Sequence, residues 1–302
     1  MTVAVTGGTG FVGQALLDEA ERQGLAVRAL ARRPQQARAG VEWIAGDLSD
    51  AEALAKLVAG AEAVIHVAGV TTAPDSAGFE AGNVAGTRAL AAAASDAGVA
   101  RFVLVSSLSA REPGLSQYGA SKARAERAIM DSGLDWTIVR PPAVFGPRDA
   151  AMFELFRAAR WGLVPMPAQG RASVIHAEDL ARLLLALIPG GKGITARIFE
   201  PDDGITDGWA HAELARAIGQ AVGRRVTVLA MPPALMRLAA RIDLGLRGNN
   251  AKLTPDRAGY FNHPDWVASA SARVPAELWK PQRETRQALR DTASWYREQG
   301  WF

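Results

Sequence analysis

The beginning of the chain constrains its fold more than any other part. The short apolar run at residues 3–6 predicts a buried strand, and the segment TGGTGFVG at residues 6–13 follows it directly. Apolar residues then recur at helical spacing over residues 11–20. A glycine turn between a strand and a helix brings backbone N–H groups against a pyrophosphate, so the segment predicts a dinucleotide-binding loop. The glycines of this turn are Gly7, Gly10 and Gly13.

Strands and helices alternate from this loop through the first half of the chain. Such alternation is typical of parallel strands joined by crossover helices, so we predict an α/β fold with a doubly wound parallel Rossmann sheet over residues 1–150. Residues 151–302 alternate less regularly and are predicted to form mostly a smaller, mixed C-terminal substrate lobe, with some segments returning to the core. The predicted strands cover residues 3–6, 25–31, 41–45, 63–67, 102–106 and 136–140.

The end of the second predicted strand indicates which dinucleotide is bound. NAD enzymes place a carboxylate there, which accepts hydrogen bonds from the ribose hydroxyls. This chain has Arg32 and Arg33 instead, and a guanidinium can bind a 2′-phosphate that a carboxylate would repel. The sequence therefore favours NADP(H), with Arg32 as the first contact and Arg33 as the second, while NAD(H) stays open.

A tyrosine and a lysine stand four residues apart in the run YGASK at residues 118–122. This spacing places the Tyr118 phenol and the Lys122 ammonium on one face of a predicted helix. A nearby ammonium stabilises a phenolate, so the pKa of Tyr118 is expected to fall below its ordinary value of about 10. With a nicotinamide cofactor, the pair predicts proton and hydride exchange at a carbonyl or an alcohol.

Several further segments, in the same order along the chain, resemble the extended short-chain dehydrogenase/reductases. That group includes the NAD-dependent epimerases and dehydratases, the 3β-hydroxysteroid dehydrogenases and the dihydroflavonol reductases. The resemblance covers nearly the whole chain. Besides the glycine loop and YGASK, its segments are GDL at 46–48, VIHVAG at 64–69, NVAGT at 83–87, VSS at 105–107, RPPAVFGP at 140–147, HAEDLA at 176–181 and TASWYR at 292–297.

The resemblance implies roles for particular residues. Ser107, rather than Ser106, would be the catalytic serine and would hydrogen-bond the substrate oxygen as charge develops. Tyr118 and Lys122 complete this Ser-Tyr-Lys set, and Asn83 would fix the active-site helix or relay protons. The residues predicted or implied to hold the cofactor are Gly7, Thr9, Gly10, Phe11, Val12, Gly13, Arg32, Arg33, Asp47, Leu48, Val67, Ala68, Gly69, Tyr118, Lys122, Pro141 and Val144.

Composition excludes several classes of function. The chain has no cysteine, which excludes disulfides and thiolate chemistry and fits a cytoplasmic protein. Lys and Arg number 34 against 31 for Asp and Glu, and so small and scattered an excess argues against a nucleic-acid partner. No two histidines have metal-ligand spacing, so no metal is predicted, and no apolar run is long enough for an integral membrane segment.

A small, fairly apolar carbonyl or alcohol is the favoured substrate, because the C-terminal half is rich in Leu, Met, Trp and Ala. An apolar stripe between Leu235 and Ile242, bordered by Arg237 and Arg241, could lie on a membrane surface but is expected to pack on the lobe. Family members often dimerise through the helices that correspond to residues 82–98 and 116–132. A homodimer is therefore one expectation by analogy.

Two alternatives stay open. The first is an NAD-dependent sugar-nucleotide epimerase or dehydratase, although the segment after Ser107 lacks the carboxylate of the dehydratases. The arginine that binds phosphate in those enzymes would align with Ala172, and Arg171 is displaced by one residue, which reverses a side chain's direction in a strand. The second is a non-catalytic dinucleotide-sensing or assembly protein on the same fold, against which the intact Ser-Tyr-Lys set argues.

Overall fold

The computed structural model describes residues 1–248 and 251–302, and strands alternate with helices along most of that length. The strands are β1 (Thr2–Thr6), β2 (Ala26–Ala31), β3 (Val41–Ala45), β4 (Ala63–His66), β5 (Arg101–Val105), β6 (Asp135–Val139), β7 (Ala143–Phe145), β8 (Leu163–Pro167), β9 (Arg171–Ala172), β10 (Val174–His176), β11 (Arg197–Phe199), β12 (Trp209–Ala210), β13 (Thr227–Met231) and β14 (Asp265–Trp266). The helices are α1 (Phe11–Arg22), α2 (Ala51–Val58), α3 (Ser76–Phe79), α4 (Gly86–Asp96), α5 (Gln117–Met130), α6 (Ala150–Arg160), α7 (Ala177–Ala186), α8 (His211–Ala221), α9 (Pro233–Arg247), α10 (Pro255–Phe261) and α11 (Thr285–Glu298).

Seven of these strands form one parallel sheet in the order β11-β6-β5-β4-β1-β2-β3. The prediction of a doubly wound parallel sheet is therefore confirmed. The central strands are apolar on both faces, and every residue of β4 and β5 is buried. This pattern follows from helices on both sides, because α1 and α7 cover one face while α2 and α4 cover the other.

The order of strands reverses in the middle of this sheet. Strands β2 and β3 lie on one side of β1, and β4, β5, β6 and β11 lie on the other. A crevice opens at the carboxyl ends of the strands where such a reversal occurs, and ligands of open α/β sheets bind there. The glycine loop follows β1 and residues 67–69 follow β4, so the two segments meet at this crevice.

Helices α6, α8 and α11 build the core of a second, smaller lobe. The buried side chains of Phe156, Trp209 and Tyr296 belong to one apolar cluster of this lobe. Two later segments return to the main sheet, since β11 pairs with β6 and α7 packs with α1 on one face of the sheet. Strand β10 pairs with β7 in a separate two-stranded sheet. The division of the chain at residue 150 stays a prediction.

A buried arginine fastens the returning segments to the sheet. The Arg101 guanidinium donates to the carbonyl oxygen of Leu187, just after α7, at 3.1 Å. It also donates to the Asp135 carboxylate at 3.0 Å and to the Thr137 hydroxyl at 2.8 Å, both on β6. The buried cation is thus surrounded by acceptors, which offset the cost of removing it from water.

Helix α9 corrects one expectation. Met236 and Ala240 pack into a small cluster with Ala258, but Leu238 and Ile242 are 52% and 54% exposed. The expectation that this stripe packs on the lobe is wrong, because the helix uses a different face for packing. Within residues 1–248 and 251–302, no helix has both the length and the apolar character that crossing a membrane requires.

Candidate active site

The glycine loop after β1 has the close backbone approaches that only glycine permits. Gly7 has a φ of 74°, and its carbonyl oxygen accepts a hydrogen bond from the Gly10 N–H at 3.0 Å. A Cβ placed on Gly13 would lie 2.0 Å from that same oxygen, so any side chain there would push the loop away from α1. The spacing seen in the sequence therefore reflects contacts within the loop.

Helix α1 begins at this loop without a side-chain cap. Gly10 is its N-cap residue, and no side chain accepts a hydrogen bond there. The first N–H groups of a helix have no partner within the helix and carry partial positive charge, which suits an anion. Thr9 is exposed, and Phe11 and Val12 are half-buried beside the loop. These residues fit the pyrophosphate of a dinucleotide.

The residues predicted to select the adenosine half lie at the ends of β2 and β3. The Asp47 carboxylate accepts hydrogen bonds from the Ser49 hydroxyl at 2.6 Å and the Ser49 N–H at 2.8 Å. These bonds, with a smaller contribution from the Arg32 charge, lower the pKa of Asp47 below its ordinary value. Arg32 and Arg33 are both exposed. Leu48 packs against α4, where its Cδ1 would lie 2.7 Å from a Cβ on Gly86.

Residues 67–69 connect the glycine loop with the helix that carries the tyrosine and the lysine. A Cβ on Gly7 would lie 2.6 Å from the Ala68 nitrogen, and the Val67 N–H donates to the Thr6 carbonyl oxygen at 3.2 Å. A Cβ on Gly69 would lie 3.6 Å from the Lys122 Nζ. The structure therefore brings the predicted cofactor residues after β1 and β4 next to one predicted catalytic residue.

Asn83 lies in the π-helical turn Glu80–Ala85 that precedes α4. Its side-chain oxygen accepts from the Val70 N–H at 2.8 Å, while its nitrogen donates to the Val70 carbonyl oxygen at 3.0 Å and to the Ser121 hydroxyl at 2.9 Å. These bonds join the loop after β4 to α5. Of the two roles implied for Asn83, this arrangement favours fixing the active-site helix.

The two serines after β5 point to different partners. The buried Ser106 hydroxyl donates to the Glu126 carboxylate at 2.5 Å. Ser107 is only half-buried, and its hydroxyl oxygen accepts from the Ser109 hydroxyl at 2.9 Å, while hydrogen bonding to Ser107 lowers the pKa of Tyr118. The arrangement therefore agrees with the choice of Ser107 over Ser106. Pro141 is buried beside it and accepts from the Leu108 N–H at 2.9 Å, whereas Val144 lies in β7.

Tyr118 lies near the start of α5, between aromatic rings from two parts of the chain. Its ring centroid is 6.2 Å from that of Phe79 and 6.3 Å from that of Tyr260. Burial raises the pKa of Tyr118, while the Ser107 hydroxyl and the Arg257 charge act in the opposite direction. This differs from the expectation that Lys122 lowers the tyrosine's pKa.

Lys122 is buried, with 5% of its surface exposed, and its ammonium donates to the Val105 carbonyl oxygen at 2.8 Å. Burial lowers the pKa of Lys122 to about 8, against a smaller upward effect of the Glu126 charge. The ammonium is thus directed toward the end of β5 rather than held by an acid. At neutral pH it is still mostly protonated.

His66, at the end of β4, is a structural residue. Its ring nitrogens are 2.6 Å from the Thr6 hydroxyl and 2.9 Å from the Thr87 hydroxyl. Complete burial, with the nearby Lys122 charge, lowers the pKa of His66 to about 3, so the ring is neutral. In the described ranges, no three His, Cys, Asp or Glu side chains are grouped so that they could hold a metal ion.

Sequence reasoning missed the contribution of α10 to this site. The Asp256 carboxylate accepts from the Gln117 N–H at 2.6 Å and from the Tyr118 N–H at 3.3 Å, at the N-terminus of α5. Burial raises the pKa of both Tyr118 and Tyr260, and the Arg257 charge opposes this rise at each ring. No local sequence pattern indicates these contacts, because α10 follows α5 by more than a hundred residues.

The buried lysine makes a testable contribution to stability. Its folded-state pKa of about 8 lies below the ordinary 10.5, so the unfolded chain binds more protons between these values. The free energy of unfolding therefore rises with pH across this window, by at most about 3 kcal/mol for this group. We expect Lys122→Met to lose this rise, and to be no less stable than the wild type at pH 7, in urea denaturation followed by circular dichroism.

Lys192→Met, which changes an exposed lysine, is the matched control and should keep the wild-type dependence on pH. Identical pH profiles for Lys122→Met and the wild type would contradict the described environment of Lys122.

Comparison with known proteins agrees with this geometry. Residues 7–188 match the family model described as NAD(P)H-binding. The chain is 36% identical to the ceramide reductase of Caulobacter vibrioides, across 99% of this chain and 96% of that protein. It is 31% identical to sterol demethylase protein B of Methylococcus capsulatus, across 99% of both chains.

Among solved structures, MoeE5 in complex with UDP-glucose and NAD superposes with a TM-score of 0.76 over 99% of both chains. At 22% identity this likeness concerns the fold alone. The family model and the relatives cover the glycine loop, the serines and the Tyr-Lys pair in one alignment. The chain therefore belongs to the NAD(P)H-binding family of extended short-chain dehydrogenase/reductases.

Proposed function

We propose that this protein is an NADP(H)-dependent reductase of a carbonyl group on a small, fairly apolar molecule. One observation supports the proposal most, namely that Ser107 acts on Tyr118, which stands one helical turn before the buried Lys122, with Lys122 beside Gly69 at the proposed dinucleotide crevice. In reduction of a carbonyl, Tyr118 would serve as the acid, Ser107 as a hydrogen-bond donor and Lys122 as a nearby cation.

The reduction balances with these groups. When bound, the nicotinamide supplies a hydride to the carbonyl carbon and leaves as the oxidised dinucleotide. The Tyr118 phenol donates the proton that the carbonyl oxygen gains, and Ser107 donates a hydrogen bond to that oxygen as its charge develops. The Ser107 hydroxyl and the Arg257 charge favour the phenolate left after proton donation, in opposition to the effect of burial. In the reverse direction, the same groups oxidise an alcohol.

Two observations support an apolar substrate. The rings of Phe79 and Tyr260 stand on either side of Tyr118, so the surroundings of the reacting group are largely aromatic. The relatives named for ceramide and sterol chemistry are proteins whose names refer to apolar lipids. We extend this preference to the present chain as part of the proposal.

The sugar-nucleotide alternative is disfavoured by the position of Arg171. Its guanidinium donates to the backbone carbonyl oxygens of Asp207 and Gly208, the latter at 2.8 Å. A guanidinium that already satisfies backbone carbonyls is poorly placed to bind a nucleotide phosphate. The non-catalytic alternative is disfavoured, because a sensor has no need of Ser107, Tyr118 and Lys122 together.

A cytoplasmic location and a homodimer also belong to this proposal. The dimer would use α4 and α5, as in related proteins. Small residues of α4, such as Ala89 and Ala93, line an open groove between α2 and α4, which would allow another helix to approach closely. Size-exclusion chromatography with light scattering measures the state directly.

The preference for NADP(H) is tested at the exposed end of β2. Arg32→Glu replaces a guanidinium suited to a 2′-phosphate with a carboxylate that repels it. We expect affinity for NADPH to fall by about tenfold or more, with affinity for NADH unchanged or higher, in fluorescence titrations of the two nucleotides. Arg88→Gln, an exposed position on α4, is the control and should bind both as the wild type does. Equal effects of Arg32→Glu on the two nucleotides would contradict the assignment.

The chemical role of Tyr118 is tested by Tyr118→Phe. The variant keeps the ring between Phe79 and Tyr260 and removes only the hydroxyl. We expect NADPH binding to be retained while kcat for reduction of an apolar ketone falls by about 10²–10⁴, the usual contribution of a general acid. Phe79→Leu controls for the loss of aromatic packing and should retain most of kcat. Unchanged turnover in Tyr118→Phe would contradict the role of Tyr118 as the acid, whereas unchanged biological activity in a variant that has lost turnover would support the non-catalytic alternative.

A further inference from the structure

Helix α9 has two separate apolar faces. The inner face packs through Met236 and Ala240 against Ala258 of α10. The outer face carries Leu235, Leu238, Ile242 and Leu246, which are 44%, 52%, 54% and 81% exposed. A helix that only covered the lobe would need the first face and not the second. The outer face therefore calls for an explanation of its own.

The spacing on the outer face is regular. Its four apolar residues follow one another at intervals of three, four and four positions, which places them within an arc of about 80° at 100° per residue. We call this row, Leu235, Leu238, Ile242 and Leu246, the outer stripe. Scattered exposed apolar residues are ordinary on protein surfaces, but a continuous row along a helix marks an interaction surface.

The charges beside the outer stripe are mainly positive. Helix α9 contains three arginines, Arg237, Arg241 and Arg247, and one acidic residue, Asp243. Arg237 and Arg241 are exposed and lie between the packed face and the stripe, on one flank of the stripe, whereas Arg247 pairs with Asp243 at 3.3 Å. An apolar row bordered by arginines matches a surface whose interior is apolar and whose headgroups are anionic.

The outer stripe is also close in the fold to the candidate active site. Helix α9 packs on α10, and α10 carries Tyr260, whose ring is 6.3 Å from that of Tyr118. Helices α9 and α10 therefore lie between the stripe and the reacting group. A substrate held in a lipid surface beneath α9 would need to pass only these two helices.

We infer that the outer stripe of α9 binds the surface of an anionic lipid bilayer, so that the site can take an apolar carbonyl substrate from that bilayer. The statement about the substrate rests on the proposed function, whereas the statement about the surface does not. The helix lies in the interface with its stripe among the acyl chains and its arginines at the headgroups. This mode of binding needs no membrane-spanning segment.

Flotation with vesicles tests the inference with the full chain. We expect the protein to float with vesicles of phosphatidylcholine and phosphatidylglycerol, less with phosphatidylcholine alone, and less at high salt. The combined variant Leu235→Ser, Leu238→Ser, Ile242→Ser should partition at least about tenfold more weakly, because it removes the inserted apolar area. The changed side chains are already exposed, so the fold should be kept.

Two control variants separate the outer stripe from exposed surface in general. Trp161→Ser removes a side chain that is 87% exposed. Trp161 lies just before β8, at the end of the β8–β13 pair where Leu163 pairs with Thr227, and α9 begins after the opposite end of β13. This variant should float as the wild type does. Arg237→Gln with Arg241→Gln should lose the preference for phosphatidylglycerol.

Three results would overturn the inference. The wild type could fail to float with any vesicle, or the stripe variant could float as well as the wild type. Finally, the wild type could be a dimer that does not bind vesicles while the stripe variant is a monomer, which would assign the stripe to contact with a second copy of the chain. Flotation gives the first two results and the sedimentation of the free protein gives the third, and none of them requires turnover.

Turnover separates this inference from the proposed function. With NADPH and a short, water-soluble ketone, the stripe variant should match the wild type, while its rate with a long-chain ketone embedded in vesicles should fall about tenfold with its binding. If the wild type reduced neither ketone, the proposed function would be overturned, and the result of the flotation experiment would still stand.

Discussion

Helix α5 carries two charged side chains into the protein interior, one turn apart, and the surrounding structure is arranged to accommodate them. Lys122 and Glu126 are only 5% and 2% exposed. The Glu126 carboxylate accepts a hydrogen bond from the Ser106 hydroxyl at 2.5 Å and two from the Arg140 guanidinium at 2.9 and 2.6 Å. The Arg140 guanidinium also lies 3.6 Å from the Glu200 carboxylate. Because an uncompensated buried charge is costly, these partners fix the helix relative to the sheet. The position of Lys122 follows from that arrangement.

The same network reaches the second lobe. Glu200 also pairs with Arg111 at 3.4 Å, and Arg111 donates to the carbonyl oxygens of Val267 and Asp265 at 2.8 Å each. At the other end of the site, Asp256 accepts from the first N–H groups of α5. The lobe thus holds the active-site helix at its N-terminus and the sheet edge beneath it. Charged contacts thus join α5, the edge of the sheet and the lobe.

Local patterns predicted what local contacts determine. Six of the seven strands of the main sheet, all but β11, are within a residue or two of their predicted positions, because buried apolar runs and the turns between them are read directly from the chain. The choice of Ser107 over Ser106 agrees with the partner that Ser106 finds in Glu126. The contact of Asp256 with α5 and the exposed face of α9 were not predictable, because both depend on how distant segments meet. Periodicity alone does not show which of two apolar faces of a helix is covered, as α9 demonstrates.

The central claim is that this site moves a hydride from the nicotinamide while Tyr118 supplies the proton. Incubating the protein with NADPH deuterated at C4, on the transferred face, and an apolar ketone tests it most directly, with mass spectrometry and NMR of the product. The account predicts an alcohol that carries deuterium on the former carbonyl carbon, together with oxidised cofactor in equal amount. An alcohol without deuterium from cofactor labelled on either face, or unchanged ketone beside bound cofactor across a range of apolar ketones, would contradict it.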